Sequence, residues 1–373
     1  MGIKVVPYTE DRVPAVKAFN QRMADGGTGW GWYEWAEDRW LPRRDGLHVW
    51  REHFLAVDDD DEVRGAYALK PQAWLVHGET LTVTDWQGPV SEGLLSRRYA
   101  ALGLRMIRDM LKKYPLLYSW GHGGNEAAML QLLVALKWLI HDTPFCLKVC
   151  HPIRFLRRNA YLRDSTRNRL ALDLLAFSGA GWLGFKLLHW GLGLRGPAHR
   201  DATAEEVPSF GAWADALWER CTTAYQALGV RDAKTMNALV PAEGWPNGIR
   251  LRVRRAGEDI GWAVVLDNQL ENDPRFGDLR VGCVADCLAL PEDAGAVVAA
   301  ATRFLEARGV DMIGSNQSHP AWIEGFGAAG YLVLRDRRCF AVSPALQDAL
   351  APFEDTRTGL HLTNMDGHGP HGF

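Results

Sequence analysis

The sequence predicts an α/β (α+β) protein of two similar domains, each a mixed central sheet flanked by helices, joined by a helical linker. Three observations point there. Residues 116–138 and 309–331, 193 positions apart, read as one repeated unit: an apolar strand, a Gly/Asn-rich turn, a helix, and an aromatic residue opening the next strand. Gly121 then falls on Gly314, Ala135 on Ala328, Trp138 on Tyr331 and Leu139 on Leu332, and a fixed-offset echo indicates duplication. Strand and helix patterns also follow the same order in both halves. Finally, 373 residues that are 47% hydrophobic and 23% charged suit about two globular cores.

In the first half, residues 3–8 read as a strand and 11–23 as a capped helix ended by Gly26 and Gly27. Residues 54–57 and 63–70 are strands joined by the acidic run 58–62, a solvated turn. Residues 73–76 and 80–84 are further strands around His77-Gly78-Glu79. Residues 96–113 form a helix, with Ala100, Leu104, Ile107 and Leu111 at helical spacing and Tyr114-Pro115 as its stop. A strand at 116–120, a helix at 125–137 and a strand at 145–150 complete the half. In the second half, 215–228 is helical, 249–255 and 260–267 form a hairpin, and 281–288 is a strand. A helix at 293–308, a strand at 310–314, a helix at 321–329 and a strand at 338–342 follow. These patterns divide the chain into 1–150, a linker 151–204, 205–345, and a tail 346–373.

The linker differs in kind. Residues 151–200 carry nine Lys/Arg against Asp164 and Asp173. Inside lies an apolar stretch, 170–194, whose Asp173, Lys186, His189 and five glycines argue against a membrane span. It reads either as a helix pair packed into a core between the halves or as an interfacial helix on an anionic membrane, which would make the protein peripheral at the inner membrane face. The N-terminus lacks an apolar signal core, so a cytoplasmic location is expected.

A net charge of −3 gives no bias toward nucleic acid. Six cysteines without a Cys-x-x-Cys pair read as reduced, buried thiols, and no metal site is expected. The tail holds three histidines without metal-site spacing and reads as loose or as a cover over the active site. Of 16 tryptophans, five cluster at Trp30, Trp32, Trp35, Trp40 and Trp50. They serve core packing or form a wall that stacks on sugar or acyl groups.

The chemistry concentrates in residues 83–103. A strand runs through a loop into a helix whose start carries Arg97, Arg98 and small residues. Unpaired N–H groups and the positive dipole end at a helix start bind pyrophosphate, and arginine adds a charge-assisted, bidentate partner. Here the chain resembles the GNAT superfamily of acyl-CoA-dependent acyltransferases, whose signature is Arg/Gln-x-x-Gly-x-Gly/Ala. Arg98-Tyr99-Ala100-Ala101-Leu102-Gly103 fits it, with Ala101 in place of the first glycine.

The resemblance implies two GNAT-like domains, an acyl-CoA donor, and a role for Asn125 in orienting the pantetheine or pyrophosphate. The family's thiolate-protonating Tyr is matched by Leu133. In the second half, residues 288–295 put Glu292 and Asp293 where the Arg and Gly would stand, so that half reads as a degenerate copy. The whole is similar to tandem-GNAT proteins, which include FemABX-like ligases and GNAT proteins of bacterial exopolysaccharide clusters.

Acyl transfer needs a base for the acceptor and an N–H near the thioester carbonyl. Asp85 and Glu92 flank the splayed end of the central strand, and His122, with Glu126, sits on the facing turn. His122 has the ordinary pKa best suited to a base near neutrality. Each also has a plain structural reading, as turn residue, helix-start charge and hydrogen-bonded histidine. Asp311, Asn316, Gln317 and His319 either line an acceptor pocket or satisfy a polar turn.

The expected function is transfer of an acyl group from acyl-CoA to an amine or hydroxyl, with an envelope or exopolysaccharide precursor implied by the resemblance. A Fem-type aminoacyl-tRNA transferase is one alternative, weakened by the lack of basic charge to hold tRNA. A non-catalytic acyl- or lipid-binding component of a biosynthetic complex is another.

Overall fold

The computed structural model describes residues 2–122, 127–193, 199–243, 248–353, 358–367 and 369. The chain forms two compact units: Met1–His141 with Cys339–Phe353, and Asp142–Arg338 with Glu354–Phe373.

The first unit contains β1 (Lys4–Pro7), α1 (Val13–Asp25), β2 (Glu52–Val57), β3 (Val63–Val76), β4 (Glu79–Ser91), α2 (Leu102–Lys113), β5 (Leu117–His122) and α3 (Ala127–Ala135). Strands β1 to β4 are antiparallel neighbours, and α2 carries the chain over to β5, which is parallel to β4. Residues 339–342 close the sheet antiparallel to β5. Alternation along the strands separates two cores. Phe54, Ala56, Tyr67 and Leu69 meet Leu102, Met106, Ile107 and Met110 of α2, spaced to share one helix face. On the other sheet face Leu55, Val57, Ala66 and Ala68 meet Val16, Phe19 and Met23 of α1.

Two details differ from expectation. Residues 63–70 and 73–76 merge into one 14-residue strand, because Pro71 is carried within it and its carbonyl accepts from the Trp50 N–H at 3.2 Å. The helix expected from residue 96 begins at Leu102. Residues Arg97–Tyr99 instead form a 3-10 turn, where the Ser96 hydroxyl accepts from the Arg98 N–H at 3.3 Å.

The second unit takes residues 142–149 of β6 (Leu139–Val149), then α4 (Pro152–Arg158), α5 (Thr166–Phe177), α6 (Ala180–Gly193), β7 (Ala202–Val207), α7 (Ala212–Cys221), β8 (Ala227–Gly229) and α8 (Ala233–Leu239). β9 (Gly248–Arg255), β10 (Glu258–Gln269), β11 (Arg280–Ala289), α9 (Ala294–Ala307), β12 (Met312–Asn316), α10 (Pro320–Ala328) and residues 332–338 of β13 (Leu332–Val342) follow. Antiparallel pairs run β7–β9–β10–β11, α9 leads to the parallel β12, and β6 closes antiparallel to β12. α9 and α10 approach closely: a Cβ on Gly325 would stand 2.9 Å from the Gly295 Cα.

Each sheet thus takes its sixth strand from the far half of the sequence, so the units are not the contiguous spans 1–150 and 205–345. No local signal in a strand says which sheet it joins. The linker is helical, as α4, α5 and α6, but it is not a buried pair. Leu170, Leu174, Phe177, Leu183 and Leu187 are all exposed. The expectation of a loose tail is corrected as well. α11 (Pro344–Ala349) packs in the first unit, and the segment from β14 (Leu360–His361) to Asp366 is buried in the second. Buried carboxylate, hydroxyl and imidazole partners hold it there, a pattern that composition does not reveal.

Candidate functional site

In the first unit, β4 and β5 pair only at Thr84–Leu117 and Asp85–Tyr118. Beyond that point the strands part, although β4 runs to Ser91 and β5 to His122. A register shift against β3 between Ala66 and Ala68, opposite a Gly88 at φ 50°, bends β4 just past the parting. A side-chain bond spans the gap: the Ser119 hydroxyl donates to the Trp86 carbonyl at 3.3 Å. Parted parallel strands leave backbone groups open to a ligand, and the chain turns from β4 into α2 beside them.

At the start of α2 lies a cleft of about 200 Å³ lined by Ile3, Arg98, Tyr99, Ala101, Leu102 and Arg105. Ala101, at the N-cap, supplies no side-chain acceptor to the first helical N–H groups. A Cβ on Gly103 would meet open space, so a ligand has room to approach there. Two guanidinium groups beside an uncapped helix start favour an anion. Of the residues expected to bind phosphate, Arg98 and Ala101 line the cleft. Arg97 is exposed on the adjacent turn, and Gly103 is on the first turn of α2. Asn125 lies outside the described residues. Arg105, one turn further along α2, was missed because the signature ends at Gly103; its i+4 spacing from Ala101 was the available signal.

The three expected bases part company. Glu92 is 5% exposed and belongs to a clasp: Arg22 Nε donates to Oε1 at 2.6 Å and Arg64 to Oε2 at 2.9 Å. Arg64 also reaches Asp58 at 2.8 Å, which burial tends to raise but Arg64 and backbone N–H groups bring below the ordinary carboxylate range. The run 58–62 is therefore partly buried rather than wholly solvated. Both Glu92 oxygens are engaged by cations, which suits a strut between α1, β3 and the turn after β4.

Asp85 is 1% exposed, in register with the equally buried Lys70, and accepts from Gln87 Nε2 at 2.8 Å. It stands at the last β4–β5 pair, inside a polar cluster of the sheet. His122 is the last residue of β5, beyond the parting; its side chain, like Glu126, lies outside what the structure describes.

The second unit has the same geometry with different chemistry. β11 and β12 pair from Val281–Met312 to Cys283–Gly314 and then part, and the Ser315 hydroxyl donates to the Val284 carbonyl at 2.7 Å. Ser315 is therefore the counterpart of Ser119, 196 positions on. The expected offset of 193 holds for α3 and α10 and for β6 and β13, but in the strands Gly314 matches Tyr118, not Gly121. The three-residue difference arises between the last strand pair and the next helix: β5 runs four residues past Tyr118 and β12 two past Gly314, and one residue more separates β5 from α3 than β12 from α10.

Here the tail fills the parted strands. Thr363 Oγ1 donates to Asp286 at 2.9 Å, His361 Nε2 is 2.7 Å from the Cys287 carbonyl, and Ser318 exchanges hydrogen bonds with Leu360 and Leu362. Arg231 binds Asp286 at 3.1 Å and Asp366 at 2.6 Å, fully buried. Burial raises Asp286, against the pull of Arg231, to about 6. Before α9, Asp293 is paired with Arg255 at 2.7 Å, and Glu292 adds a second acid where the first unit has Arg98. Asp311, Asn316, Gln317 and His319 are likewise buried and bonded, as a satisfied polar turn is. Among the described residues, no group of three His, Cys, Asp or Glu is placed to hold a metal, and no single helix is long and apolar enough to cross a membrane.

No family model matches the chain, and no curated protein matches its sequence. Solved structures do. Saccharomyces cerevisiae N-myristoyltransferase with bound myristoyl-CoA and inhibitors is 8% identical, with a TM-score of 0.51 over 91% of this chain and 80% of that one. A structure of the same enzyme with bound myristoyl-CoA is 9% identical, with a TM-score of 0.50 over 91% and 82%. A GCN5-related N-acetyltransferase from Anabaena variabilis is 8% identical, with a TM-score of 0.49 over 91% and 72%. At such identities the likeness is one of fold: a mixed sheet flanked by helices, as in GNAT-fold acyltransferases.

Proposed function

We propose that the protein is an acyltransferase whose first unit binds an acyl-CoA donor and passes the acyl group to an amine or hydroxyl acceptor. The observation that carries this reading is the parting of β4 and β5 beside the Arg98/Arg105 cleft at the uncapped start of α2. The donor supplies an activated thioester. Arg98 and Arg105 neutralise its pyrophosphate, and the first N–H groups of α2 point at it. The opened edge of β4 beyond Asp85 offers backbone N–H groups to the thioester carbonyl, where negative charge develops during attack.

The acceptor must give up a proton as its new bond to the acyl carbon forms, and the C–S bond breaks to release CoA as a thiolate, which takes up a proton. With Glu92 held by two arginines and Asp85 held within the sheet, we assign that role to His122, on the stretch of β5 past the parting. The second unit, with acids before α9 and its parted strands filled by the tail, contributes no second donor site in this reading. An envelope or exopolysaccharide precursor remains the acceptor class that the resemblance suggests.

The test is calorimetric binding of acetyl-CoA and of long-chain acyl-CoA to the full chain, with Arg98→Glu beside wild type. A charge-assisted contact is worth roughly 1.5–3 kcal/mol, so affinity should fall at least about tenfold. Arg255→Glu, at the matching end of the second unit, should leave it unchanged. Wild-type affinity in Arg98→Glu would falsify the donor site, and binding of aminoacyl-tRNA but not acyl-CoA would favour the Fem-type alternative. His122→Gln should lower turnover with donor affinity intact.

A further inference from the structure

The described residues include 13 large hydrophobic side chains that are exposed, and nine of them fall between Ile153 and Leu187. Such concentration marks a contact surface, because scattered apolar exposure needs no explanation but a contiguous patch does. Leu170, Leu174 and Phe177 recur at i, i+4 and i+7 on α5 and are 68%, 70% and 73% exposed. Leu183 and Leu187 repeat the spacing on α6. The two helices bend by 75° at Gly179, φ +74°, so they do not form one straight helix.

Cations are set into this surface. Arg154, Arg157 and Arg158 share one face of α4 and, with Ile153, border a recess of about 330 Å³. A neighbouring recess of about 370 Å³ shares Ile153 and Arg154 and is walled by Trp182 of α6. Arg157 lies 5.0 Å over the Phe177 ring, and the Lys186 Nζ 5.5 Å over Trp182. Arg154 reaches Asp311 at 3.5 Å and Arg158 donates to the Asp278 carbonyl at 3.5 Å, but among the described residues no carboxylate forms an ion pair with Arg157 or Arg158, and Asp173, the acid of α5, is held by Arg163 at 2.7 Å.

We propose that α4, α5 and α6 form an anionic-membrane docking surface: Phe177, Leu174 and their neighbours enter the headgroup–acyl boundary, while the arginines of α4 take lipid phosphates in the adjoining recesses. Apolar side chains interleaved with largely exposed arginines match the two layers of such a surface, an outer one of negative charge and an inner one of hydrocarbon. The bend at Gly179 lets both helices lie in the membrane plane. The inference is independent of the acyl-CoA site, which is built from other residues.

The experiment sediments the full chain with phosphatidylcholine vesicles, with and without phosphatidylglycerol. Pelleting is expected only with the anionic vesicles, and about 0.5 M salt should release the chain, since exposed charges are screened within a few ångström there. Leu174→Asp with Phe177→Asp, and separately Arg157→Glu with Arg158→Glu, should each lower partitioning at least about tenfold. All four side chains are exposed, so the circular dichroism spectrum should match wild type, and the two pairs act through different chemistry should one misfold. Equal pelleting with neutral vesicles, wild-type pelleting of both variants, or no pelleting at all overturns the proposal. A dimer by light scattering that Phe177→Asp dissociates, in a chain that ignores vesicles, assigns the face to a second copy instead.

Discussion

Arg231 and Asp366, 135 positions apart, meet at 2.6 Å in the core of the second unit, each side chain 1% exposed. The contact ties the end of the chain to β11, because the same guanidinium holds Asp286. Asp366→Ala leaves Arg231 with one carboxylate in a site closed to water. Breaking one partner out of a buried charge cluster costs about 3–5 kcal/mol, and a loss of that size is expected in urea unfolding. Removal of residues 358–373 should cost at least as much, whereas a wild-type midpoint for the truncated chain would mean that the tail is dispensable.

Glu92 should report stability rather than turnover. Glu92→Ala frees Arg22 and Arg64 at a site where the carboxylate is nearly closed off from water. The expected cost is about 1–3 kcal/mol, as for a partner removed from a charged hydrogen bond. At a temperature where the variant stays folded, its turnover should stay within a few-fold of wild type. A stable but inactive Glu92→Ala would return the base to this residue.

Acid should weaken the second unit through its histidines. Burial pushes His319 down from 6.5 to about 4, and its Nδ1 accepts from the Ala321 N–H at the start of α10, which needs an unprotonated nitrogen. His361, fully buried, is lowered as well, by burial first and then by Arg231. A lowered histidine favours the native state above its unfolded value, so the stability is present above pH 6.5 and is lost as pH falls toward 4. For His319 the window is worth up to about 3 kcal/mol. His319→Asn keeps an N-cap acceptor without the titration, so the slope of unfolding free energy against pH should shrink across that window. An unaltered slope rules His319 out as its source.

Two glycines of α10 should respond with opposite sign to the same change. A Cβ at Gly325 meets the backbone of Gly295 at 2.9 Å, so Gly325→Ala must push α9 and α10 apart, at about 1–3 kcal/mol. A Cβ at Gly327 meets nothing within 4 Å, and Gly327→Ala should gain up to about 1 kcal/mol from helix propensity. Thermal midpoints of the two variants decide the matter directly; movement in the same direction would mean that the helix crossing is looser than described.

The order of strands and helices was legible because local periodicity encodes it: α2 shows its buried face in Met106, Ile107 and Met110, and β2 alternates between two cores. The arginine-flanked start of α2 was legible for the same reason, as a short motif in one place. What escaped was long-range. The partners that occupy Glu92 come from 70 and 28 positions away, and nothing near Glu92 announces them. The equivalence of Ser119 and Ser315 depends on strand register, which strands and turns of unequal length shift by three residues against the helices that follow. Exposure of Leu170 and Leu174 was equally hidden, since an apolar helix reads the same whether covered or bare.

The borrowed sixth strands set a schedule for biosynthesis. While the chain emerges from the ribosome, β5 has no antiparallel neighbour until residues 339–342 are made, more than 200 residues later. The nascent first unit must wait with an open, apolar sheet edge, the condition in which chains cross-pair or recruit chaperones. Contacts so distant in sequence also slow spontaneous refolding. Maturation of the first unit is thereby tied to completion of the whole polypeptide, and an interrupted translation product would hold a cleft-bearing unit that lacks one wall of its sheet.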